Sequence, residues 1–427
     1  MKQFKRSVRY FLFCLIVLIG QPFLQKMEWF SNWSFLKNLD EVLLIISIPL
    51  VYEGFRRIRN QKIKRFNAFF FVYIMLGIAL ALFNSVPFLA MSIQVLFELK
   101  FIVVLFLMLS IGLKANLERI FEQMLKLILV LNIPFVLFQF LNPEGYDEVY
   151  ASGGHSGLFI LKDSTLIRAA GMFWHQNQLA FFSAIAAAFF LVLRKYAWTN
   201  AWVILAVILL LSTLQRQEIV SFILAYLFAR YLFVKESFSG KRVLYVLGSF
   251  TLITLGVIVF LPLLELLVQQ SGLLEFSQSI DPRIVFYYNS VIVFLDHFPF
   301  GSGFGTFGGF AAANYNQSLY NDLNFGNYTW FNQNIFLTDT YYPHVIAETG
   351  LFGVICFVFF CIHLFRYIRF SNSQVKYKMM AVFSLAFLIL VSLTSPNIND
   401  VFCLFLTFIP LSMVVFSEQS QSVLSKR

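Results

Sequence analysis

Charged side chains are scarce in this chain. Asp, Glu, Lys and Arg together make up 13% of 427 residues, where a soluble globular domain carries roughly a quarter. Hydrophobic residues reach 59%, and the mean hydropathy is +0.75. That much apolar surface cannot be hidden in one soluble core, which excludes a cytosolic enzyme and a disordered chain. Cysteine is rare as well. Cys14, Cys356, Cys361 and Cys403 all lie in apolar stretches. They read as small core residues, so a secreted disulfide scaffold is excluded too. Gly-rich linkers, charged tails and fixed-period repeats are absent, so 1–427 reads as a single polytopic membrane domain. The five histidines show no zinc-like spacing and have no cysteine nearby, so no metal held by protein ligands and no cofactor is expected.

What the chain does have is apolar runs. A helix rises ~1.5 Å per residue, so a ~30 Å hydrocarbon layer needs roughly 17–25 of them. Twelve candidates lie near 10–25, 38–55, 66–84, 88–113, 124–141, 173–193, 197–213, 218–234, 243–262, 343–365, 377–394 and 400–416. No small-residue cleavage site follows the first, which reads as a retained helix and not a signal peptide. Lys and Arg divide unequally among the connections: 25 fall in one alternating set and six in the other, with Lys100 inside a span. Basic residues accumulate on the cytoplasmic side, so both termini are expected inside. The net charge of +10 is then a topology signal and implies no nucleic-acid partner. Two outer loops are long, 142–171 and 263–342, and the second holds an apolar stretch, 283–298, expected as a helix at the outer surface.

Against an acidic outer face, three arginines stand out. Arg168 precedes the sixth span, Arg216 sits in the tight turn before Gln217 and Glu218, and Arg283 opens the loop helix after Asp281 and Pro282. A guanidinium presents a planar fork of donors suited to phosphate oxygens. The alternative is three surface charges paired with Glu218, Asp281 or Asp163. His344 follows Pro343 at the expected start of the tenth span, with Glu348 four residues on and on the same helical face. A histidine held by a carboxylate suits a general base; a plain His–Glu helix pair is the other reading. Glu98 and Lys100 are either intramembrane functional charges or part of an interfacial helix over 86–99. The segment 304–342 mixes Tyr, Phe and Trp330 with many Asn, a composition that suits carbohydrate or an ordinary aromatic belt.

In order, spacing and outer location, these pieces resemble the O-antigen ligase/polymerase family of integral-membrane glycosyltransferases. The stretch from Arg283 through His297, Pro299, Gly301, Gly303 and Gly305 is similar to the family's loop helix and following turn. Pro343, His344, Glu348, Gly350 and Gly353 resemble its histidine-bearing span start, and Arg168, Gly171, Phe173 and Asn177 the segment ahead of its middle spans. Arg216 in a hairpin turn is similar to its short arginine motif. The resemblance implies an all-α integral membrane fold of about twelve transmembrane helices, related to the GT-C glycosyltransferases, with a large periplasmic loop. It implies a metal-independent transfer from a polyprenyl-pyrophosphate-linked glycan. His344, with Glu348 available, would be the base. Arg216, Arg283 and Arg168 would hold pyrophosphate, and Asn177, Trp330, Tyr341 and Tyr342 would contact glycan. Val345 after the histidine and Gln217–Glu218 after Arg216 depart from the ligase pattern more than from the polymerase one. The expectation is therefore a Wzy-type polysaccharide polymerase of the bacterial inner membrane. Its partners would be lipid-linked donor and acceptor, the bilayer and a chain-length regulator. A ligase of the same family is the first alternative. A lipid-linked-sugar flippase or sugar transporter is the second, disfavoured by the absence of two similar halves.

Overall fold

The computed structural model describes residues 2–26, 39–57, 61–113, 117–150, 158–161, 164–173, 175–193, 199–234, 281–333, 337 and 340–424. The main helices are α1 (Lys2–Lys26), α2 (Leu39–Arg57), α3 (Gln61–Phe83), α4 (Phe88–Gly112), α5 (Glu118–Leu141), α6 (Pro143–Tyr150), α7 (Gln176–Val192), α8 (Thr199–Ser212) and α9 (Arg216–Val234). They continue with α10 (Pro282–Asp296), α11 (Tyr342–Phe370), α12 (Val375–Val391) and α13 (Val401–Leu424). Short helical turns fill 310–332, and one antiparallel hairpin pairs Leu158–Leu161 with Ser164–Ile167. Eleven of the twelve expected spans coincide with a helix; the ninth, 243–262, lies outside the described residues, as do parts of both long loops.

Four helices are long and apolar enough to cross a membrane: Phe88–Gly112, Glu118–Leu141, Tyr342–Phe370 and Val401–Gln421. They mark a helical membrane protein. The helices also carry exposed large apolar side chains such as Ile16, Ile45, Phe71, Leu96, Leu137 and Ile204, which a soluble surface would not present in such number. At the centre is α13, whose spanning window is 89% buried. It packs against α4 and α12; α3 packs on α11, α9 on α12, and α7 on α8. The charged pair Glu98 and Lys100 sits inside the continuous helix α4 and is buried, so a separate interfacial helix over 86–99 does not form.

A second, smaller core lies in the long loop. Phe286 and Val293 of α10 meet Phe307, Tyr320, Phe325 and Phe331 there. The loop's asparagines hold its backbone: Asn314 donates to the Phe310 carbonyl, Asn316 to that of Gly305 and Asn332 to that of Gly326. Much of the loop's aromatic and amide content thus serves its own folding.

Helix α11 is broken at Gly350, whose φ of +58° is open to glycine and strained for other residues. The break frees carbonyls that a continuous helix would use. The turn 299–309 satisfies them: Ser302 N–H donates to the Ala347 carbonyl and Gly303 N–H to that of Glu348, while Leu351 N–H donates to the Pro299 carbonyl. Glu348 then faces this turn. Its Oε1 accepts the backbone N–H groups of Gly305, Thr306 and Phe307 at 2.8, 2.9 and 3.1 Å. Three converging amides form a nest that a buried carboxylate fills. Replacing Glu348 by Ala would leave three buried donors unmet, at ~1–3 kcal/mol each. Glu348→Ala is therefore expected to lower the thermal stability of the detergent-solubilised protein by at least about 3 kcal/mol, with Glu348→Gln milder. An Ala variant that melts with the wild type would show that the carboxylate does not hold the turn.

Candidate functional site

Glu98 is the polar centre of the bundle. It is 2% exposed. Its Oε2 accepts the hydroxyls of Tyr73 and Tyr341 at 3.1 and 2.9 Å, and its Oε1 accepts Gln94 Nε2 at 3.0 Å. The fourth partner is His344, whose Nε2 lies 2.8 Å from Oε1. A carboxylate already crowded with donors is an acceptor for the imidazole, which assigns the proton to Nε2. Nδ1 is then the basic nitrogen. The pairing of His344 with Glu348 expected from their i, i+4 spacing is corrected here: Glu348 is held by the 305–307 amides, and the carboxylate partner comes from α4 instead. Gly308 packs directly against the start of α11, where a Cβ would lie 2.9 Å from the backbone nitrogen of His344.

His344 lines a cavity of about 320 Å3. Gln94 and Phe97 of α4 form one wall, Gly308, Gly309 and Phe310 a second, and Pro396, Asn399 and Asp400 a third. Asp40 and Gln178 complete it. Gln178 donates to Asp400 Oδ2 at 3.1 Å, and Gln21 donates to Asp40 Oδ1 at 3.0 Å. Asp400 Oδ1 caps α13 by accepting the N–H groups of Phe402 and Cys403. Among the described residues no group of three or more His, Cys, Asp and Glu could hold a metal ion.

The three arginines are brought to one place. Arg168 is set by its own backbone: Gln139 of α5 donates to the Arg168 carbonyl and accepts from Ala170, Met172 donates to Asn132, and Ala169 donates to the Ser212 carbonyl at the end of α8. This ties Arg168 to the turn that presents Arg216. Arg283 stands in the first turn of α10, which Asp281 caps by accepting the Arg283 N–H at 2.9 Å. Burial, and after it the charges of Arg216 and Arg283, draw the Arg168 guanidinium below its ordinary range, while Glu218 acts in the opposite sense. Glu218 is 1% exposed, and neither of its carboxylate oxygens has a hydrogen-bond partner. Four charged groups therefore share one field, with three positive.

The helices that carry His344, Arg216 and Arg283 converge at the C-terminal end of α12. Two carbonyls of its last turn, where a helix leaves such groups without partners, and one just past its end accept from three different elements. Tyr342 of α11 donates to Ile389, Gln217 of α9 to Val391, and Tyr287 of α10 to Leu393, at 2.8, 2.6 and 2.6 Å. Each donor is a sequence neighbour of a candidate site residue: His344, Arg216 and Arg283. The segment that follows, 394–400, contributes Pro396, Asn399 and Asp400 to the cavity.

The remaining sequence candidates fall outside the cavity lining. Asn177 donates to Ser395 Oγ at 3.5 Å, Tyr342 anchors α12, Tyr341 supports Glu98, and Trp330 packs on Tyr328 and Phe286 in the loop core. Asp40, Gln94, Gln178 and Asp400 were not singled out by the sequence; two carboxyl groups at the mouths of apolar runs were the only available sign of them. No protein-family model matches the chain, and no curated protein matches it.

The arginine cluster should bind inorganic pyrophosphate. Arg216→Gln or Arg283→Gln should each weaken it roughly tenfold or more, as expected for the loss of a charge-assisted contact, and added salt should weaken it further. Titration calorimetry of the purified protein reads this. Affinity unchanged in both variants would show that the cluster is not an anion site.

Proposed function

We propose that this protein is a glycosyltransferase that polymerises a polysaccharide (O-antigen, capsule or exopolysaccharide) from a polyprenyl-pyrophosphate-linked glycan. The observation that carries this reading is the His344–Glu98 pair on a cavity, on a helix that meets the arginine-bearing helices at the end of α12. In the proposed step an acceptor hydroxyl gives its proton to His344 Nδ1, and its oxygen bonds to the anomeric carbon of the donor. The bond from that carbon to the pyrophosphate oxygen breaks, and its electron pair leaves with the pyrophosphate. Arg168, Arg216 and Arg283 stabilise the departing charge, as fixed positive groups do for any developing anion. Glu98 holds the imidazole in one tautomer and stabilises the imidazolium that forms.

The residues needed for this chemistry all belong to the chain itself, with Glu98 taking the supporting role that the sequence spacing gave to Glu348. The Lys and Arg distribution supports twelve crossings with both termini cytoplasmic. In this reading the site faces the periplasmic side of a bacterial inner membrane, where lipid-linked glycans and a chain-length regulator would meet it. A ligase would use the same donor and differ in its acceptor, a lipid A–core sugar.

Deleting the gene separates the two. A polymerase deletion keeps a single repeat on the surface glycolipid, whereas a ligase deletion loses even that. Returned on a plasmid, the wild-type gene should restore the long-chain ladder. His344→Ala should reduce it by about 10²–10⁴-fold, the usual worth of a general base, and Arg216→Ala by about 10²-fold or more, at unchanged membrane levels. A full ladder from His344→Ala would remove His344 as the base.

A further inference from the structure

The cavity beside His344 carries information about the sugar it receives. Its lining includes two carboxyl groups, Asp40 and Asp400, and no Lys or Arg. The nearest cation on α4, Lys100, is paired with Glu41 at 2.7 Å and sits over the Phe97 ring at 4.3 Å, so its charge is already met. The charge on the wall is one-sided: Asp40 and Asp400 supply carboxyl groups, and the other polar side chains of the lining are His344, the amides of Gln21, Gln94, Gln178 and Asn399, and the Thr340 hydroxyl. Such a wall favours a ligand that brings hydroxyl O–H or ammonium N–H groups over one that brings negative charge. The rings of Phe97, Phe310 and Phe402 offer apolar faces for the C–H side of a sugar. The volume, about 320 Å3, falls at the lower end of the roughly 300–1,000 Å3 usual for small-molecule sites.

We propose that this cavity is the acceptor-sugar subsite and that it selects a neutral or amino sugar, rejecting a ring that carries a carboxylate. The word acceptor rests on the transferase reading above; the selectivity rests on the cavity alone. A uronic acid would place a third negative group beside Asp40 and Asp400, with no Lys or Arg in the lining to meet it. Like-charge juxtaposition at a binding surface costs several kcal/mol. The same acidic wall keeps the donor's pyrophosphate out of this cavity and leaves it to the arginines.

The test is binding of methyl glycosides to the purified protein, with no donor present, followed by titration calorimetry or saturation-transfer NMR. Matched neutral, amino and uronic forms are compared in the gluco and galacto series. In the series that binds, the uronide should be at least about tenfold weaker than the neutral glycoside, and the amino sugar at least as tight as the neutral one. Asp40→Asn keeps the shape and the Gln21 contact, removes one charge, and should narrow the neutral-to-uronide gap to about threefold or less. The conservative Asp400→Asn, which retains an oxygen to cap α13, should narrow it too if Asp40→Asn proves poorly folded. A uronide that binds as well as its neutral partner overturns the proposal, and so does the absence of binding by all six glycosides. Selective binding by a protein that makes no polymer would sink the transferase reading and leave the subsite standing. Polymer formation without this discrimination would do the reverse.

Discussion

A polar group inside a membrane bundle must find its partner within the protein, because neither lipid nor water is there to supply one. Three such demands organise this structure. The Glu98 carboxylate is met by two tyrosines, a glutamine and His344. The Oε1 of the Glu348 carboxylate is met by three amides of the 305–307 turn. The carbonyls at and just past the end of α12 are met by Tyr342, Gln217 and Tyr287. Each solution draws together helices far apart in the chain, and each lies beside the candidate site. The placement of His344, Arg216 and Arg283 is therefore a consequence of satisfying buried polar atoms. Packing of the apolar surfaces, which look alike on every helix, would not specify it.

Polar atoms left without partners are informative against that background. Both carboxylate oxygens of Glu218, the Oε1 of Gln178 and the Oδ1 of Asn399 are buried and unmet. Glu218 lies in the field of Arg168 and Arg283, and Gln178 and Asn399 belong to the cavity lining. These two environments differ in sign. One holds three arginines and a single carboxylate; the other holds two carboxyl groups and a basic imidazole nitrogen. The end of α12 bonds the helices that carry Arg216 and Arg283, and the segment after it lines the cavity.

Much of the fold was legible in the sequence because its determinants are local. Apolar runs located eleven of the helices, and Pro343 marked the start of α11. The arginines and His344 were legible as polar exceptions in apolar surroundings. Partnership was not legible. An i, i+4 spacing proposes Glu348 for His344, since a helix makes near neighbours visible, yet Glu98 lies 246 residues away and nothing local points to it. The break at Gly350 explains why the local rule fails: it brings the 299–309 turn against α11, and that turn claims Glu348. The aromatic and Asn-rich stretch also shows partners that its composition did not. Its composition suits carbohydrate, but Trp330, Tyr320 and Phe325 pack on Phe286 and the asparagines bond the loop's own carbonyls. The acidic cavity wall was hidden because Asp40, Gln178 and Asp400 come from three segments whose meeting is a property of the bundle.

The central claim is that one site both activates a sugar hydroxyl and accepts a leaving pyrophosphate. Its most direct test is a count of polyprenyl pyrophosphate released per glycosidic bond formed when the purified protein meets a defined lipid-linked repeat. One-for-one release together with a ladder of lengthened glycans is the predicted result. Movement of the lipid-linked sugar across a sealed vesicle with no pyrophosphate released and no bond made would contradict the account and identify a transporter.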